Sequence, residues 1–273
     1  MKFVYRKSEK IDNNSGDKMK YRTDMAVENM ESDFKFDVDR IIHGMHFKKI
    51  KVNEALSKKI KKKPGIYYTI DQLDYRNKSR EIVKLLSTVI FDFLENLNLK
   101  KESDILIVGL GNDFVTPDAL GPLVINKIEV NRHLEKHPDK YNISAICPGV
   151  MGQTGMETKD IVQAIVDDFH PSLVIVVDAL ACSDAKRMCN SIQLSTAGIN
   201  PGSGIYNFRR EISKDTLGVD VLAIGIPTVS DIDSFVDMED NYFVTPKDID
   251  LAMDILSGIV AAGINQALRK NIS

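Results

Sequence analysis

Apolar positions follow two rhythms along this chain, and they change over near residue 100. Before it, "SREIVKLLSTVIFDFLENLNL" spaces its apolar residues three and four apart, as a helix with one buried face does. After it, the short unbroken runs "ILIVGL", "ISAIC", "LVIVVDAL", "SIQL" and "VLAIGI" alternate with helical stretches around 118–136, 156–169 and 247–268. Unbroken apolar runs are strands covered on both faces, and their alternation with helices predicts an α/β fold: a mostly parallel sheet with helices on both sides. Between about residues 33 and 70 the segments are short and charged, and "KKIKKKPGIYYTI" turns through Pro64 and Gly65 into a β-branched, aromatic strand. That stretch predicts a small β-rich elaboration before the main sheet.

In a parallel sheet the ligand site lies beyond the carboxyl ends of the strands, so residues after the apolar runs carry the functional reading. Two aspartates stand there. Asp118 follows Thr116 and Pro117, which read as the cap and first residue of a helix, and Asp178 closes "LVIVVD". Singly, Asp118 is a carboxylate on a helix dipole and Asp178 a cap for whatever follows. Together they form a pair able to share a proton and a water, as acid–base hydrolysis requires. Glycine-rich loops, "PGVMGQTGMET" (148–158) and "NPGSGIYNFRR" (200–210), border the same edge, either as tight turns or as backbone laid open to an extended ligand. No phosphate loop is present, and "GLGNDF" lacks the third glycine of the dinucleotide fingerprint, which argues against a nucleotide.

Metal and thiol chemistry find less support. His133 and His137 are four apart in "HLEKH", which is not the order of zinc proteases, and "HGMH" (43–46) has no further ligands beside it. Cys182 has no histidine placed to activate it and reads as a small buried residue. Three cysteines without paired spacing indicate neither a disulfide framework nor a structural zinc. No metal and no cofactor is expected.

Charge adds a further division. With 39 acids against 36 bases the chain is near neutral, which on charge alone does not suggest a nucleic-acid binder or a membrane-surface protein, and no direct nucleic-acid partner is expected. Residues 1–24, however, hold seven bases and four acids and include the turn-rich "SEKIDNNSGDKMK", so a basic, flexible arm precedes an acidic body. No signal sequence or membrane span is read, and a cytoplasmic location is expected.

The order of "VGLGN", "VTPDALGP", "RHL", "PGVMGQTGMET", "VIVVDALA", "PGSG" and "IGIPTV" resembles that of the germination protease (GPR endopeptidase) family of spore-forming bacteria, from "YRTDMAVE" to "FVTPKDIDLAMDILSGIVAAGINQAL". The resemblance implies a fold similar to hydrogenase-maturation proteases. It also implies an endopeptidase made as a homotetrameric zymogen in the forespore, with small acid-soluble spore proteins as substrates. The family's atypical acid pair falls on Asp118 and Asp178. Its self-cleavage site falls between Asp24 and Met25, which divides the chain into a propeptide-like arm, 1–24, and a single peptidase domain, 25–273. Asp231 matches a family acid with no assigned role. Two departures stand out: only 230–243 separates "IGIPTV" from "VTPK", where members carry a longer segment, and "PGSGIYNFRREIS" replaces the usual Gly-Asn-Lys-Arg-Lys pattern. Two alternatives remain: a metal-assisted peptidase of the same fold, and an inactive module that binds spore proteins.

Overall fold

The computed structural model describes residues 23–30, 34–134, 138–202, 209–231 and 243–269. Four strands run parallel on one side of a single sheet: β4 (Asp104–Gly109), β5 (Asn142–Ile146), β6 (Leu173–Cys182) and β8 (Asp220–Asp231), in the order β8-β6-β4-β5, with β5 at the edge. Their apolar runs are unbroken because both faces are covered. Ile105, Ile107, Leu173, Ile175 and Val177 pack into one core with α2 (Ser79–Asn96), α3 (Leu120–Ile125) and α7 (Ile249–Arg269). The alternate residues Leu106, Val108, Val174 and Val176 pack into a second with Val162 and Val166 of α5 (Thr158–Phe169) and Leu217 of α6 (Lys214–Leu217). The helix after residue 150, α4 (Met151–Thr154), is a single turn.

The amino-terminal elaboration continues the same sheet. Beyond β8 comes β7 (Ser191–Ser195), then β3 (Gly65–Asp71), β2 (Met45–Val52) and β1 (Val38–Ile42), each antiparallel to its neighbour, while β9 (Phe243–Val244) pairs with the end of β8. β1 and β2 are joined through His43 and Gly44, whose φ of 50° and 82° is the left-handed pair a two-residue hairpin turn requires. The one helix between β2 and β3, α1 (Glu54–Ile60), is capped by the Asn53 side chain. α7 is long and apolar enough to cross a membrane, yet most of its residues, Leu256, Val260 and Ile264 among them, are buried in the core against α2 and the sheet.

The expected helix over 118–136 is mostly absent: α3 is six residues long and the chain beyond it is irregular. Side-chain amides capture its backbone instead. Asn265 on α7 accepts from Glu129 N and donates to Lys127 O, while Asn131 accepts from Ile143 N at 2.6 Å and donates to Tyr141 O, stitching the segment to β5. His133 therefore lies in a turn, and His137 lies outside the described residues.

Two glycines set how the chain leaves β4. A Cβ on Gly109 would lie 2.4 Å from the Gly121 carbonyl oxygen, and one on Gly121 would lie 2.2 Å from that of Leu110. Both contacts are with backbone, so no rotamer change relieves them. Gly121→Ala is accordingly expected to destabilise by about 1–3 kcal/mol, whereas Gly152→Ala, with nothing within 4 Å of its added carbon, should stay within about 0.5 kcal/mol of wild type. Denaturant unfolding of the two variants checks the contrast.

Candidate active site

The turn after β4 is shaped around Asp118. Gly111 has φ +115°, and a Cβ there would meet the Asp118 carbonyl oxygen at 1.9 Å, so the loop can fold back over that residue only as glycine. Asn112 N then donates to Asp118 Oδ2 at 2.9 Å. Thr228 of β8 donates its hydroxyl to Pro117 O at 2.7 Å, tying this turn to the neighbouring strand. Thr116–Asp118 form one 3-10 turn preceded by Val115, with no side-chain cap. The α-helical cap expected at Thr116 is therefore replaced, because the Asp118 carboxylate itself turns back to satisfy the loop's amide.

Asp178 departs from expectation in another way. β6 continues for four residues past it, to Cys182, so Asp178 sits within a strand rather than at its end, and only 5% of it is exposed. Its Oδ1 accepts from Ala179 N at 2.9 Å. Burial raises its pKa well above the usual carboxylate range, and the charges of Asp118 and Asp24 raise it further. Asp118 is half-buried; burial pushes it up to about 6, opposed by the Asn112 amide that favours its charged form. The fold thus brings Asp118, Asp178 and Asp24 into one electrostatic group. Asp231 ends β8, buried and in register with Phe243 of β9.

Asp24 belongs to a segment docked along the end of β6. Asp24 N donates to Ala181 O and Ala181 N to Asp24 Oδ2, both at 2.9 Å. Met25 is fully buried against Leu180 and Cys182, which explains why Cys182 is a packing residue with its thiol pushed up to about 12, chiefly by burial. Gln193 of β7 holds the backbone on both sides of Met25: its Nε2 donates to Asp24 O at 3.1 Å and its Oε1 accepts from Ala26 N at 2.6 Å. Lys62 donates to Thr23 O at 2.7 Å, and its pKa is lowered by burial against the charges of Asp24 and Glu28. Glu28 closes the segment, its carboxylate accepting from Ser183 N and Oγ at 2.7 Å and from Asp184 N at 3.1 Å, with Arg187 Nε 3.3 Å away. Arg187 is itself braced on Asp71.

Of the expected arm, residues 1–22 lie outside the described residues, and Thr23 and Asp24 are held against the sheet. The loop over 148–158 reaches the same place, since Gln153 Nε2 donates to Asn112 Oδ1 at 2.9 Å. In the 200–210 loop, 203–208 lies outside the described residues, as does 232–242 of the shortened segment. Gln193, Lys62 and the Glu28 cradle escaped the sequence reading; the polar Gln193 inside the apolar run "SIQL" was the one available signal. Among the described residues, no three of His, Cys, Asp and Glu are grouped to hold a metal ion.

A family model described as germination protease matches residues 16–238. The chain is 45% identical over 203 residues to a germination protease of Geobacillus sp. (strain WCH70), covering 71% of this chain and 55% of that one. It is 36% identical over 312 residues to that of Clostridium perfringens (strain SM101 / Type A), covering 92% and 96%. It thus spans about half the length of the Geobacillus relative and nearly all of the Clostridium one. Among solved structures, a nickel–iron hydrogenase maturation protease, HycI from Thermococcus kodakarensis KOD1, aligns at 21% identity over 64% of this chain and 98% of that one, with a TM-score of 0.37. On the extent of the family match, the chain belongs to the germination proteases.

Proposed function

We propose that this chain is an endopeptidase that first cuts itself between Asp24 and Met25 and then degrades small acid-soluble spore proteins during germination, with Asp118 and Asp178 as an acid–base pair. The observation that carries the reading is the docked segment: a stretch of the chain's own backbone is bonded to the strand that carries Asp178, in one electrostatic group with Asp118, and both carboxyls have raised pKa values. Burial and two neighbouring acids favour the protonated form of Asp178, the more buried of the two, whereas Asp118, near 6, is largely ionised at neutral pH. Asp118 takes a proton from water as its oxygen attacks the Asp24 carbonyl carbon. Asp178 delivers a proton to the Met25 nitrogen as the carbon–nitrogen bond breaks. The water is thereby divided between the two new ends, and a positioned pair of this kind contributes about 10²–10⁴-fold for each proton transferred.

While uncut, the segment fills the site, which makes the full chain a zymogen. Family membership supports the spore-protein substrates, a homotetramer and a location in the cytoplasm of the forespore and spore core. A metal-assisted peptidase, the alternative within this fold, would lose its activity to a chelator; an inactive binding module would retain substrate uncut.

The decisive experiment incubates the full chain and sequences its amino terminus. A new terminus at Met25 is expected in the wild type, with or without chelator, and none in Asp118→Asn or Asp178→Asn, both of which should remain folded by circular dichroism. Processing by either variant would remove that residue from the mechanism.

The rate of processing should fall as pH drops, with an apparent midpoint within about one unit of the Asp118 value near 6, because protonation removes the base. Stop-point assays across pH 4–8 measure it.

Stability carries the opposite sign. A carboxyl with a higher pKa folded than unfolded binds its proton more tightly in the fold, so stability is lost as pH rises from about 4 through about 6. Asp118→Asn escapes that loss: thermal unfolding should find it at least as stable as wild type at pH 7, with the advantage disappearing toward pH 4.

A further inference from the structure

The acid pair accounts for the protons of peptide hydrolysis and leaves one atom unattended. As water adds to the Asp24 carbonyl carbon, the carbonyl oxygen becomes an alkoxide; Asp118 is engaged with the water and the Asp178 proton goes to the leaving nitrogen, so the alkoxide calls for a donor of its own. We propose that Gln193 is that donor, its side-chain amide N–H serving as the oxyanion site. The inference rests on the proposed cleavage between Asp24 and Met25.

The geometry has three independent parts. First, Gln193 Nε2 lies 3.1 Å from Asp24 O, within the range in which a donor follows an oxygen as it gains charge. Second, the amide cannot turn over. Its Oε1 faces Ala26 N, a donor, at 2.6 Å, and its Nε2 faces a carbonyl, an acceptor; the flipped amide would set like against like at both ends. The neighbours Ile192 and Leu194 anchor β7 in the core, and Gln193 itself is 8% exposed, so the donor is both fixed and shielded from water that would compete for the oxygen.

Third, strand register places Gln193 opposite the acid. Gln193 pairs with Gly225 on β8, and Gly225 pairs with Asp178 on β6, so Gln193 and Asp178 stand on the same face of the sheet, two strands and roughly 10 Å apart. The residue between them has no side chain, and a Cβ there would meet Leu180 at 2.5 Å. The docked peptide crosses this gap with its carbonyl held from the β7 side and its Asp24 backbone held from the β6 side. Lys62, a second donor to the segment among the described residues, holds Thr23 O, one peptide unit before the bond to be cut, and does not compete for the role. A neutral amide also suits the setting: it supplies a hydrogen bond without adding a charge that would lower the raised pKa of Asp178.

The test follows first-order self-processing of the full chain, in which docking is intramolecular and no binding step intervenes. Docking is read separately by hydrogen exchange at the amides of Asp24 and Ala181, whose bonds do not involve Gln193. In Gln193→Leu the rate is expected to fall about 10²–10³-fold, the usual loss of one oxyanion donor, with both amides still protected. Gln193→Met fills a similar volume with no N–H or O–H donor and stays neutral at every pH, so it should show a comparable loss with docking intact. Processing at the wild-type rate in either variant would overturn the proposal. Loss of protection together with rate in both variants would also overturn it, making Gln193 a clamp alone. Failure of the wild type to process, or processing by Asp118→Asn, would instead sink the cleavage reading on which the proposal rests.

Discussion

A carboxyl group placed inside a strand has to be neutral, paired or wet, and among the described residues Asp178 meets one backbone amide, two further acids and almost no solvent. The surroundings make sense as consequences. Its covalent neighbours are apolar because the parallel sheet is buried on both faces. Its partner Asp118 is held on a turn rather than in a strand, where partial hydration lets it ionise near neutral pH. Two carboxyls in one region are thereby separated in proton affinity by environment alone.

The docked segment meets this site through complementary bonds along its whole length. Its backbone pairs with Ala181 and Gln193, its Met25 and Val27 pack with Leu180 and Cys182, and its Glu28 carboxylate takes donors from Ser183, Asp184 and Arg187. The recognition is mostly of main chain plus two side-chain types, which is how an enzyme accepts an extended peptide without a folded epitope.

Much of the framework was legible because the physics that writes it is local. Apolar runs without alternation announce strands covered on both sides, and the two acids stood beside them in motifs long enough to carry a family resemblance. What could not be read depends on partners distant in sequence. The stretch after Pro122 has helical periodicity, but Asn265 and Asn131 outbid the helix for its backbone groups. Asp178 looked terminal because an aspartate usually ends a strand, whereas β6 runs on to serve the segment at Asp24, more than 150 residues away. Gln193 shows in the sequence only as a polar residue within an apolar run, for the same reason: an amide's role is set by what lies opposite it.

The position of α7 in the sequence bears on time rather than geometry. This helix, residues Ile249–Arg269, packs against α2 and α3 and reaches the turn that holds Asp118, so the buttress of the site is built from the last part of the described chain. Contacts that join residues this far apart form late, after the costly closure of a long loop. On a ribosome the amino-terminal segment emerges first and waits for that helix before the Asp118 turn is supported. A nascent chain in that interval holds the Asp24 segment and both acids without the framework that supports them, so the arrangement at the Asp118 turn is completed only once this helix has been made.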